Sequence, residues 1–358
     1  MSLRAPVMLI ALAACAGARA QKGLEPAKVR EVESAVSSEM SRQNIPGVSV
    51  ALALGSGLRW ANGFGIADVE NYVPAKTATV FRLGSISKLV TAVAVMQLAE
   101  KGKLDLDAPI QKYVPHYPKK QWPLTVRHLL CHQGGVRHYR EASELYSTRH
   151  YRDLIEPLRV FKDDPLLFEP GTRFHYSTYG YALLGVAVET AAGMRFIEYL
   201  RQNVFQPAGM ERTQVDNVFA VIPNRARGYR KIIGDGLQNC ALADTSNKIP
   251  GGGLCGTAED LVEFAIHLTG GTLLKKETLE QMFVRQKTRN GSPTPYGLGW
   301  QITERGGQRW LGHSGAQQGV STLLLLWPKE GLVVALMANL EAANLEPLAL
   351  QIQKSVLP

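Results

Sequence analysis

Cysteine is scarce in this chain: four of its 358 residues are cysteines, at positions 15, 131, 240 and 255. Cys15 lies in an N-terminal segment that we expect to be removed or processed, so three cysteines remain in the rest of the chain. An odd, small number of cysteines does not make a disulfide scaffold. An oxidising compartment would allow one bridge among Cys131, Cys240 and Cys255, and the sequence leaves its pairing open. With 45% hydrophobic and 20% charged residues, the composition is that of an ordinary globular protein of one large domain or two lobes.

Long hydrophobic runs are missing beyond the N-terminus, where no segment approaches the roughly 20 residues that span a bilayer. The first twenty residues carry Arg4, an apolar segment over 7–14 and an Ala-x-Ala cleavage signal at 18–20. We therefore expect residues 1–20 to be a secretory signal peptide and the protein to be exported, as a periplasmic or secreted protein. The segment LAAC also resembles a lipoprotein processing site, and on that interpretation Cys15 would carry a lipid anchor.

Positive charge is abundant but not concentrated. The formal net charge is +9, or +7 once Arg4 and Arg19 of the expected signal peptide are subtracted. The basic residues are scattered along the chain, a distribution that is typical of a solvated surface. Since no recognised nucleic-acid-binding motif accompanies them, we expect no nucleic-acid partner.

A metal site and a nucleotide site are both poorly supported. The segment HLLCH has histidines at 128 and 132, but a leucine follows the first one where a zinc metalloprotease has glutamate. We interpret it as a structural helix with one histidine near a cleft, and we expect no metal or other cofactor. The triple glycine at 251–253 lacks a following Gly-Lys-Ser or Gly-Lys-Thr. It is better explained as a tight turn before a helix in which Thr257 is the N-cap and Asp260 the third residue.

The nucleophile motif of an α/β-hydrolase is incomplete too. The segment GHSGA would make Ser314 the nucleophile, yet a strand pattern rather than a helix follows it. The triad order of that class requires a histidine after the nucleophile, and none lies beyond His313. We therefore set this class aside.

The hydrophobic patterns place strands at both ends of the chain and helices in the middle. Residues 27–43 carry apolar side chains at helical spacing. Residues 47–54 and 58–65 form two apolar runs joined by Gly-Ser-Gly, a pattern typical of a β-hairpin. Three further strand patterns lie within 308–339, and residues 344–356 have the pattern of a closing helix.

These patterns predict an α/β fold. Strands joined by short turns favour an antiparallel sheet, because parallel neighbours need long crossovers. We expect this sheet to be flanked by terminal helices and to carry an inserted, mainly helical lobe. The α/β lobe would comprise about 27–84 and 251–358, and the helical lobe about 85–250. The cleft between two lobes is a usual place for an active site.

The segment GSISK contains the strongest candidate for a catalytic pair. Ser85 and Lys88 lie at the start of a predicted helix, where residues i and i+3 share a face. A serine hydroxyl becomes a nucleophile when a neighbouring base takes its proton. Lysine can be that base when burial lowers its pKa, and the apolar residues that follow would bury the Lys88 stem. On this motif alone, a capping serine with an exposed lysine remains open.

Two later segments add partners for this pair. Tyr176 would lie in a turn after a Pro-Gly dipeptide, and a tyrosine beside a lysine can share its proton and act as general acid or base. His313, Ser314 and Gly315 end a predicted strand. The backbone N–H groups of an edge strand can stabilise an acyl oxygen, as an oxyanion hole requires.

The order of these motifs resembles that of the penicillin-recognising serine hydrolases, which include class C β-lactamases, D-alanyl-D-alanine carboxypeptidases, related esterases and D-aminopeptidases. Within that family the chain is most similar to the branch of mitochondrial serine β-lactamase-like proteins. The resemblance spans roughly Ile45 to Asn339 and is carried by IPGVSVALAL, GFGIADVENYVPAKTATVFRLGSISK, HLLCHQGGVRHY and GHSGAQQG. It implies a β-lactamase/transpeptidase-like fold with the site between the lobes.

The resemblance also implies catalytic roles. Ser85 would be acylated and Lys88 would activate it. Tyr176 would pass the proton to the leaving group and later help to activate water. The backbone N–H groups of Ser85 and Ala316 would form the oxyanion hole.

The remaining implied site residues would contact the substrate. His313, Ser314 and Gly315 would line the strand side, and the first two would touch a substrate carboxylate. Thr178 stands where the related β-lactamases have asparagine, and it offers one hydroxyl in place of an amide. His313 stands where they have a second lysine, and histidine is mostly neutral near pH 7. We therefore expect the affinity for carboxylates to rise as His313 gains a proton between about pH 8 and 5.5.

The threonine at position 178 and the histidine at position 313, which replace the asparagine and lysine of the related β-lactamases, both favour a peptidase or esterase over a lactamase. We expect an exported serine hydrolase that forms an acyl-enzyme with peptides or esters, either carboxypeptidase-like or D-amino-acid peptide or ester substrates, and turns over β-lactams weakly or not at all. An efficient class C-type β-lactamase is the first alternative. A non-catalytic, penicillin-binding-like module that binds cell-wall peptide is the second. The expected partner is a small peptide, ester or β-lactam substrate.

Overall fold

The structure is a computed structural model that describes residues 23–232 and 236–357. The expected signal peptide over residues 1–20 and the expected lipid anchor at Cys15 lie outside the described residues. Across the described part of the chain, no helix is both long and apolar enough to cross a membrane.

Strands cluster near the two ends of the described chain, and most of the helices lie between them. The α-helices are α1 (Pro26–Gln43), α2 (Ser87–Glu100), α3 (Val126–Leu130), α4 (Ala142–Leu145), α5 (Thr178–Ala192), α6 (Phe196–Leu200), α7 (Ile249–Gly252), α8 (Ala258–Thr269), α9 (Lys276–Met282) and α10 (Glu346–Val356). The strands are β1 (Gly47–Leu54), β2 (Leu58–Asp68), β3 (Val73–Pro74), β4 (Phe81–Arg82), β5 (Gln214–Val215), β6 (Tyr229–Lys231), β7 (Leu237–Asn239), β8 (Leu254–Gly256), β9 (Gln301–Arg305), β10 (Gln308–Gln317), β11 (Val320–Trp327) and β12 (Leu332–Ala338).

A seven-stranded sheet forms the centre of the fold, in the order β3-β2-β1-β12-β11-β10-β9. Its strand pairs are antiparallel. Strand β1 pairs with β12, with Val48 opposite Ala338 and Leu54 opposite Leu332, so strands from the two ends of the chain lie side by side. The predicted α/β fold with an antiparallel sheet is confirmed.

The side chains of β1 alternate between two hydrophobic cores, because successive residues of a strand point to opposite faces. Val50 and Leu52 belong to the core that contains α1 and α10. Ala51 and Ala53 belong to the core that contains α2 and α8. Since helices cover both faces of the sheet, β1, β11 and β12 are buried almost throughout and read as continuous apolar runs.

Helices α2 and α5 position the candidate catalytic side chains: Lys88 lies in α2, Ser85 in the turn before it, and Tyr176 just before α5. Every residue from Ser87 to Leu98 in α2 and from Thr178 to Val188 in α5 is buried. A helix that is covered on all sides is apolar all round rather than along one stripe. The short strands β5, β6 and β7 interrupt the region that was predicted to be mainly helical, and they are too short to give a strand pattern. The predicted lobe boundaries stay a prediction.

Two local predictions concern the cysteines and the start of α8. Cys131, Cys240 and Cys255 are free thiols in this structure, so the disulfide that the sequence allowed is not formed. Burial raises the pKa of Cys131 and of Cys255 to about 12. The side chain of Thr257 accepts the N–H of Asp260 at 3.1 Å, which confirms the predicted helix cap.

Candidate active site

Ser85 lies in a single 3-10 turn, Gly84–Ile86, that leads directly into α2. Gly84 has a φ of 53°, a left-handed conformation that favours glycine. A Cβ atom at this position would lie 2.9 Å from the backbone nitrogen of Ala316, so glycine lets β10 approach the turn closely. The serine is thereby held between the start of a helix and the end of a strand.

Lys88 lies one turn after Ser85 and is fully buried. Its Nζ is 3.0 Å from Ser85 Oγ, 3.1 Å from Thr178 Oγ1 and 2.6 Å from the carbonyl oxygen of Gly251. Burial, and secondarily the charge of Lys248, holds the pKa of Lys88 well below its ordinary value. This excludes the alternative of a capping serine with an exposed lysine.

Lys88 Nζ can donate to all three of these oxygens. The Gly251 carbonyl can only accept, so it takes one N–H, and Thr178 Oγ1 can take the second. In the deprotonated amine, the remaining position is a lone pair that can take the hydroxyl proton of Ser85. Thr178, which was predicted to contact substrate, therefore also orients the lysine.

Tyr176 brings a second hydroxyl to the serine. Its OH donates to Ser85 Oγ at 2.8 Å, and Lys88 Nζ lies 4.8 Å from the centre of its ring. Burial raises the pKa of Tyr176 well above its ordinary value, so the free site contains the phenol. Tyr176 and Lys88 thus contact the same oxygen, Ser85 Oγ, from two sides of a continuous chain of hydrogen bonds.

The N-terminus of α5 fixes the position of Tyr176. The Oγ of Ser177 accepts the N–H of Gly180 at 3.1 Å and donates to the carbonyl oxygen of Arg137 at 2.7 Å. His132 packs on Tyr176 with 4.4 Å between ring centres, and its Nδ1 accepts the N–H of Ser177 at 3.2 Å. His132 is thus the histidine of the HLLCH segment that lies near the cleft, as the sequence suggested.

The other histidine of that segment has a structural role. The Nδ1 of His128 accepts the N–H of Thr125, and the Thr125 side chain accepts the N–H of His128, so the two form a capping box at the start of α3. Within residues 23–232 and 236–357, no three His, Cys, Asp or Glu side chains come together in a way that could hold a metal ion.

The edge of β10 beside Ser85 is open. Strand β9 pairs with β10 only as far as Gly312, which lies opposite Gln301. The following residues 313–317 therefore lack a β9 partner. The backbone of Ala316 lies against Gly84, and the N–H of Ser85 is in a first turn, where helical acceptors are lacking. The two predicted oxyanion-hole donors are brought close together, and their role stays a prediction.

His313 does not have the state that the sequence suggested. It is 5% exposed, its Nδ1 donates to the carbonyl oxygen of Ser314 at 2.5 Å, and its Nε2 accepts from the Tyr296 hydroxyl. Burial, with the charge of Lys88, lowers its pKa to about 3. The expectation that His313 gains a proton between pH 8 and 5.5 is therefore wrong. Both ring nitrogens are engaged, so neither is free to donate to a substrate carboxylate as predicted.

The candidate residues surround a cavity of about 490 Å³. The predicted residues that line it are Ser85, Tyr176, Thr178, His313, Ser314 and Ala316, whereas Lys88 and Gly315 lie behind the surface. The other lining residues are His138, Tyr139, Leu145, Phe174, Gly251, Gly252, Pro295, Tyr296, Gln301 and Gln317.

Sequence reasoning missed Gly251, Tyr296 and Lys248 as contributors to the site. Lys248 is 1% exposed, its Nζ donates to the carbonyl oxygen of Leu145 at 2.8 Å, and it lies 5.1 Å from the ring centre of Tyr139. Burial, with the charge of Arg82, lowers its pKa to about 7. The available signal was a lysine embedded in the apolar, glycine-rich segment NKIPGGGLCG.

A serine beside a buried lysine and a tyrosine, next to the open edge of an antiparallel sheet, defines a serine hydrolase of the penicillin-recognising type. The family model described as beta-lactamase matches residues 32–354, and the chain belongs to the beta-lactamase family. The resemblance that the motifs indicated is confirmed.

Individual relatives agree with this assignment. The serine beta-lactamase-like protein LACTB, mitochondrial, of Homo sapiens is 31% identical over 414 aligned positions, which cover 86% of this chain and 76% of that protein. A penicillin binding protein from Bacillus halodurans has a TM-score of 0.75 at 26% identity, covering 90% of this chain and 98% of its own. The D-amino acid amidase from Ochrobactrum anthropi SV3 has a TM-score of 0.80 at 24% identity, and the match covers 92% of this chain and 98% of that protein. This likeness shows a shared fold.

Proposed function

We propose that this serine hydrolase cleaves peptide amides or esters through an acyl-enzyme on Ser85, and that it hydrolyses β-lactams weakly or not at all. The observation that carries the proposal is the aligned set of contacts from Tyr176 to Ser85 to Lys88, with the lysine buried. We further propose that the protein is exported, which rests on the signal-like residues 1–20.

In the acylation step, Ser85 Oγ attacks the substrate carbonyl carbon while its proton moves to Lys88 Nζ. The carbonyl oxygen becomes an oxyanion, and the N–H groups of Ser85 and Ala316 would stabilise it. As the bond to the leaving group breaks, Tyr176 gives its proton to the departing nitrogen or oxygen. Lys88 then returns a proton to Tyr176, so both groups end in their starting states. General acid–base catalysis of this kind contributes about 10²–10⁴-fold to a rate.

In the deacylation step, water attacks the acyl carbon. Its proton passes to Tyr176 while the proton of Tyr176 passes to Lys88. The C–O bond to Ser85 then breaks, and Lys88 gives the proton to Ser85 Oγ. The product is a carboxylic acid, and the site is restored without a metal or a cofactor being called for in any step.

Two contacts support a peptidase or esterase rather than a lactamase. Thr178 Oγ1 lies 3.1 Å from Lys88, so its one hydroxyl already orients the base, and it cannot offer the donor and acceptor pair of an asparagine amide. His313 is neutral and both of its ring nitrogens are engaged. A second cation to hold the carboxylate of a β-lactam is therefore missing at this position.

The non-catalytic alternative is less well supported. A binding module has no need of an uncharged, buried lysine, which costs free energy to keep away from water. The presence of the nucleophile, the base and the tyrosine at hydrogen-bonding distance favours turnover instead.

Labelling with a fluorophosphonate tests the proposal. We expect the wild type and Ser314→Ala to be labelled and Ser85→Ala to remain unlabelled, because the probe reacts with the activated serine. Ser314 is the matched control, since it lines the same cavity and is exposed. Labelling that persists in Ser85→Ala and disappears in Ser314→Ala would refute the role of Ser85.

A substrate panel separates the alternatives. We expect kcat/KM for an activated ester to exceed that for a cephalosporin by at least about 100-fold. A comparable value for the cephalosporin would support the class C-type β-lactamase. Binding of cell-wall peptides without turnover of any ester, amide or lactam would support the non-catalytic module.

A further inference from the structure

The cavity beside Ser85 has no fixed charge on its lining. Among the described residues that line it, none is aspartate, glutamate, lysine or arginine. The two lysines behind the lining are both buried: Lys88 is 0% exposed and contacts Ser85, Thr178 and Gly251, and Lys248 is 1% exposed and donates to the carbonyl oxygen of Leu145. A substrate entering the cavity therefore meets hydroxyls, amides, rings and backbone, but no ion to pair with.

The two histidines of the lining do not supply a charge either. Because a carbonyl oxygen only accepts, the contact with Ser314 places the proton of His313 on Nδ1, and Nε2 accepts from Tyr296. The Nδ1 of His138 accepts the N–H of Thr178 at 3.3 Å, which also requires the neutral ring. Burial, with Lys88 as the next cause, lowers the pKa of His138 to about 4. Both histidines are neutral at the pH of an ordinary assay.

The walls of the cavity are rich in aromatic rings. Phe174 and Tyr296 lie 5.5 Å apart between ring centres, and Tyr139 lies 4.2 Å from His138 between ring centres. Rings of this kind favour apolar or aromatic groups by burial and by ring contacts. The walls therefore suit an apolar side chain next to the bond that is cleaved.

One polar atom of the lining has no partner. Gln317 is 7% exposed, and its Nε2 donates to the carbonyl oxygen of Gly252 at 3.1 Å, which fixes the orientation of the amide. The Oε1 of Gln317 is buried and has no hydrogen-bond partner among the described residues. A buried acceptor without a hydrogen-bond partner costs free energy.

We propose that the substrate is uncharged on both sides of the scissile bond: an N-acylated amide or ester with an apolar or aromatic side chain, carrying neither a free α-carboxylate nor a free α-ammonium next to that bond. This inference rests on the proposed function of Ser85 and narrows it. A carboxylate or ammonium that enters this cavity loses hydration without gaining an ion pair. The site is therefore not built for a carboxypeptidase or for an aminopeptidase.

Matched dipeptides test the inference. The series consists of acetyl-Phe-Phe-amide, acetyl-Phe-Phe with a free carboxylate, and Phe-Phe-amide with a free amine, each made with D- and with L-phenylalanine. We expect kcat/KM for the doubly blocked compound to exceed the other two by at least about tenfold in the preferred stereochemical series. Each compound also competes with fluorophosphonate labelling of Ser85, which ranks binding without requiring turnover. Equal or better turnover or protection by either charged compound would overturn the inference.

Charge substitutions at the rim provide a matched pair of controls. Gln301 lines the cavity and is exposed. Gln301→Lys should raise the turnover of the free-acid compound relative to the doubly blocked one, and Gln301→Glu should raise that of the free-amine compound. If neither ratio moves, charge does not select the substrate and the inference fails.

The two proposals fail in different ways. A wild-type protein that is not labelled at Ser85 contradicts the proposed function itself. A protein that is labelled at Ser85 but is protected best by a charged compound, or by none of the three at millimolar concentration, contradicts only the present inference.

Discussion

Replacing Lys88 with methionine is expected to stabilise the protein at pH 7 while it removes activity. A lysine that is neutral in the folded state at pH 7 must lose a proton that the unfolded chain keeps, since its ordinary pKa is 10.5. Each pH unit between the lowered pKa in the folded protein and the ordinary pKa changes this cost by about 1.36 kcal/mol. Methionine has a similar length and avoids the cost. The variant also loses the hydrogen bonds to Thr178 and Gly251, which destabilises it by about 1 kcal/mol each. The unpaired Gly251 carbonyl costs about 1 kcal/mol more. The variant is therefore expected to be more stable wherever the cost of neutralising the lysine exceeds about 3 kcal/mol.

The effect on stability should depend on pH with a definite sign. The pKa of Lys88 is lowered on folding, so the unfolded chain binds one more proton and the stability of the wild type rises with pH by about 1.36 kcal/mol per unit until about pH 10.5. Lys88→Met lacks this contribution. Its advantage over the wild type should therefore shrink as the pH rises.

Urea unfolding between pH 6.5 and 9.5, together with ester hydrolysis, checks both parts. The variant should lose about 10²–10⁴-fold in kcat/KM, the range expected for a general base. Lys103→Met is the matched control, because it makes the same exchange of side chains at an exposed position outside the active site. A difference between Lys88→Met and the wild type that stays constant with pH would show that Lys88 is charged in the folded protein, and the reasoning would fail.

Three further predictions follow from the same geometry. Tyr176→Phe keeps the ring contact with His132 but loses the hydroxyl that lies 2.8 Å from Ser85 Oγ. We expect kcat to fall about 10²–10⁴-fold with amides and less with activated esters, which a comparison of leaving groups would measure. Gly84→Ala places a Cβ 2.9 Å from the Ala316 nitrogen at a φ of 53°. The substitution should lower the free energy of unfolding in urea by about 1–3 kcal/mol and should also lower kcat. An unchanged unfolding midpoint would argue against this constraint. Burial holds the pKa values of His132, His138 and His313 below 6.5. Their contribution to stability is therefore present above pH 6.5 and is lost below it, by up to about 4 kcal/mol per pH unit for the three together. Measuring the unfolding midpoint as the pH is lowered checks this prediction.

Much of the fold could be predicted because its signals are local. The helical spacing over 27–43, the Gly-Ser-Gly turn of the first hairpin and the apolar runs near the end of the chain each depend on neighbouring residues. The pairing of Ser85 with Lys88 was predictable for the same reason, since i and i+3 share a helix face. The cap at Thr257 also follows from adjacent residues.

The rest of the site depends on contacts between distant parts of the chain. Gly251 and Thr178 hold Lys88 from 163 and 90 residues away, and the Tyr296 hydroxyl reaches His313 across the sheet edge. Such contacts leave no periodic pattern in the sequence. The state of His313 was mispredicted because burial decides its pKa, and a three-residue motif does not reveal how deeply its first residue is buried.

Trapping the acyl-enzyme tests the central claim most directly. The wild type would be mixed with an N-acylated phenylalanine ester, quenched in acid within the first turnover, digested and mapped by mass spectrometry. The account predicts that the acyl mass is found on the peptide that contains Ser85, and that Lys88→Met accumulates it at least about 100-fold more slowly. An acyl group on Ser314, or hydrolysis that proceeds without any covalent intermediate, would contradict the account.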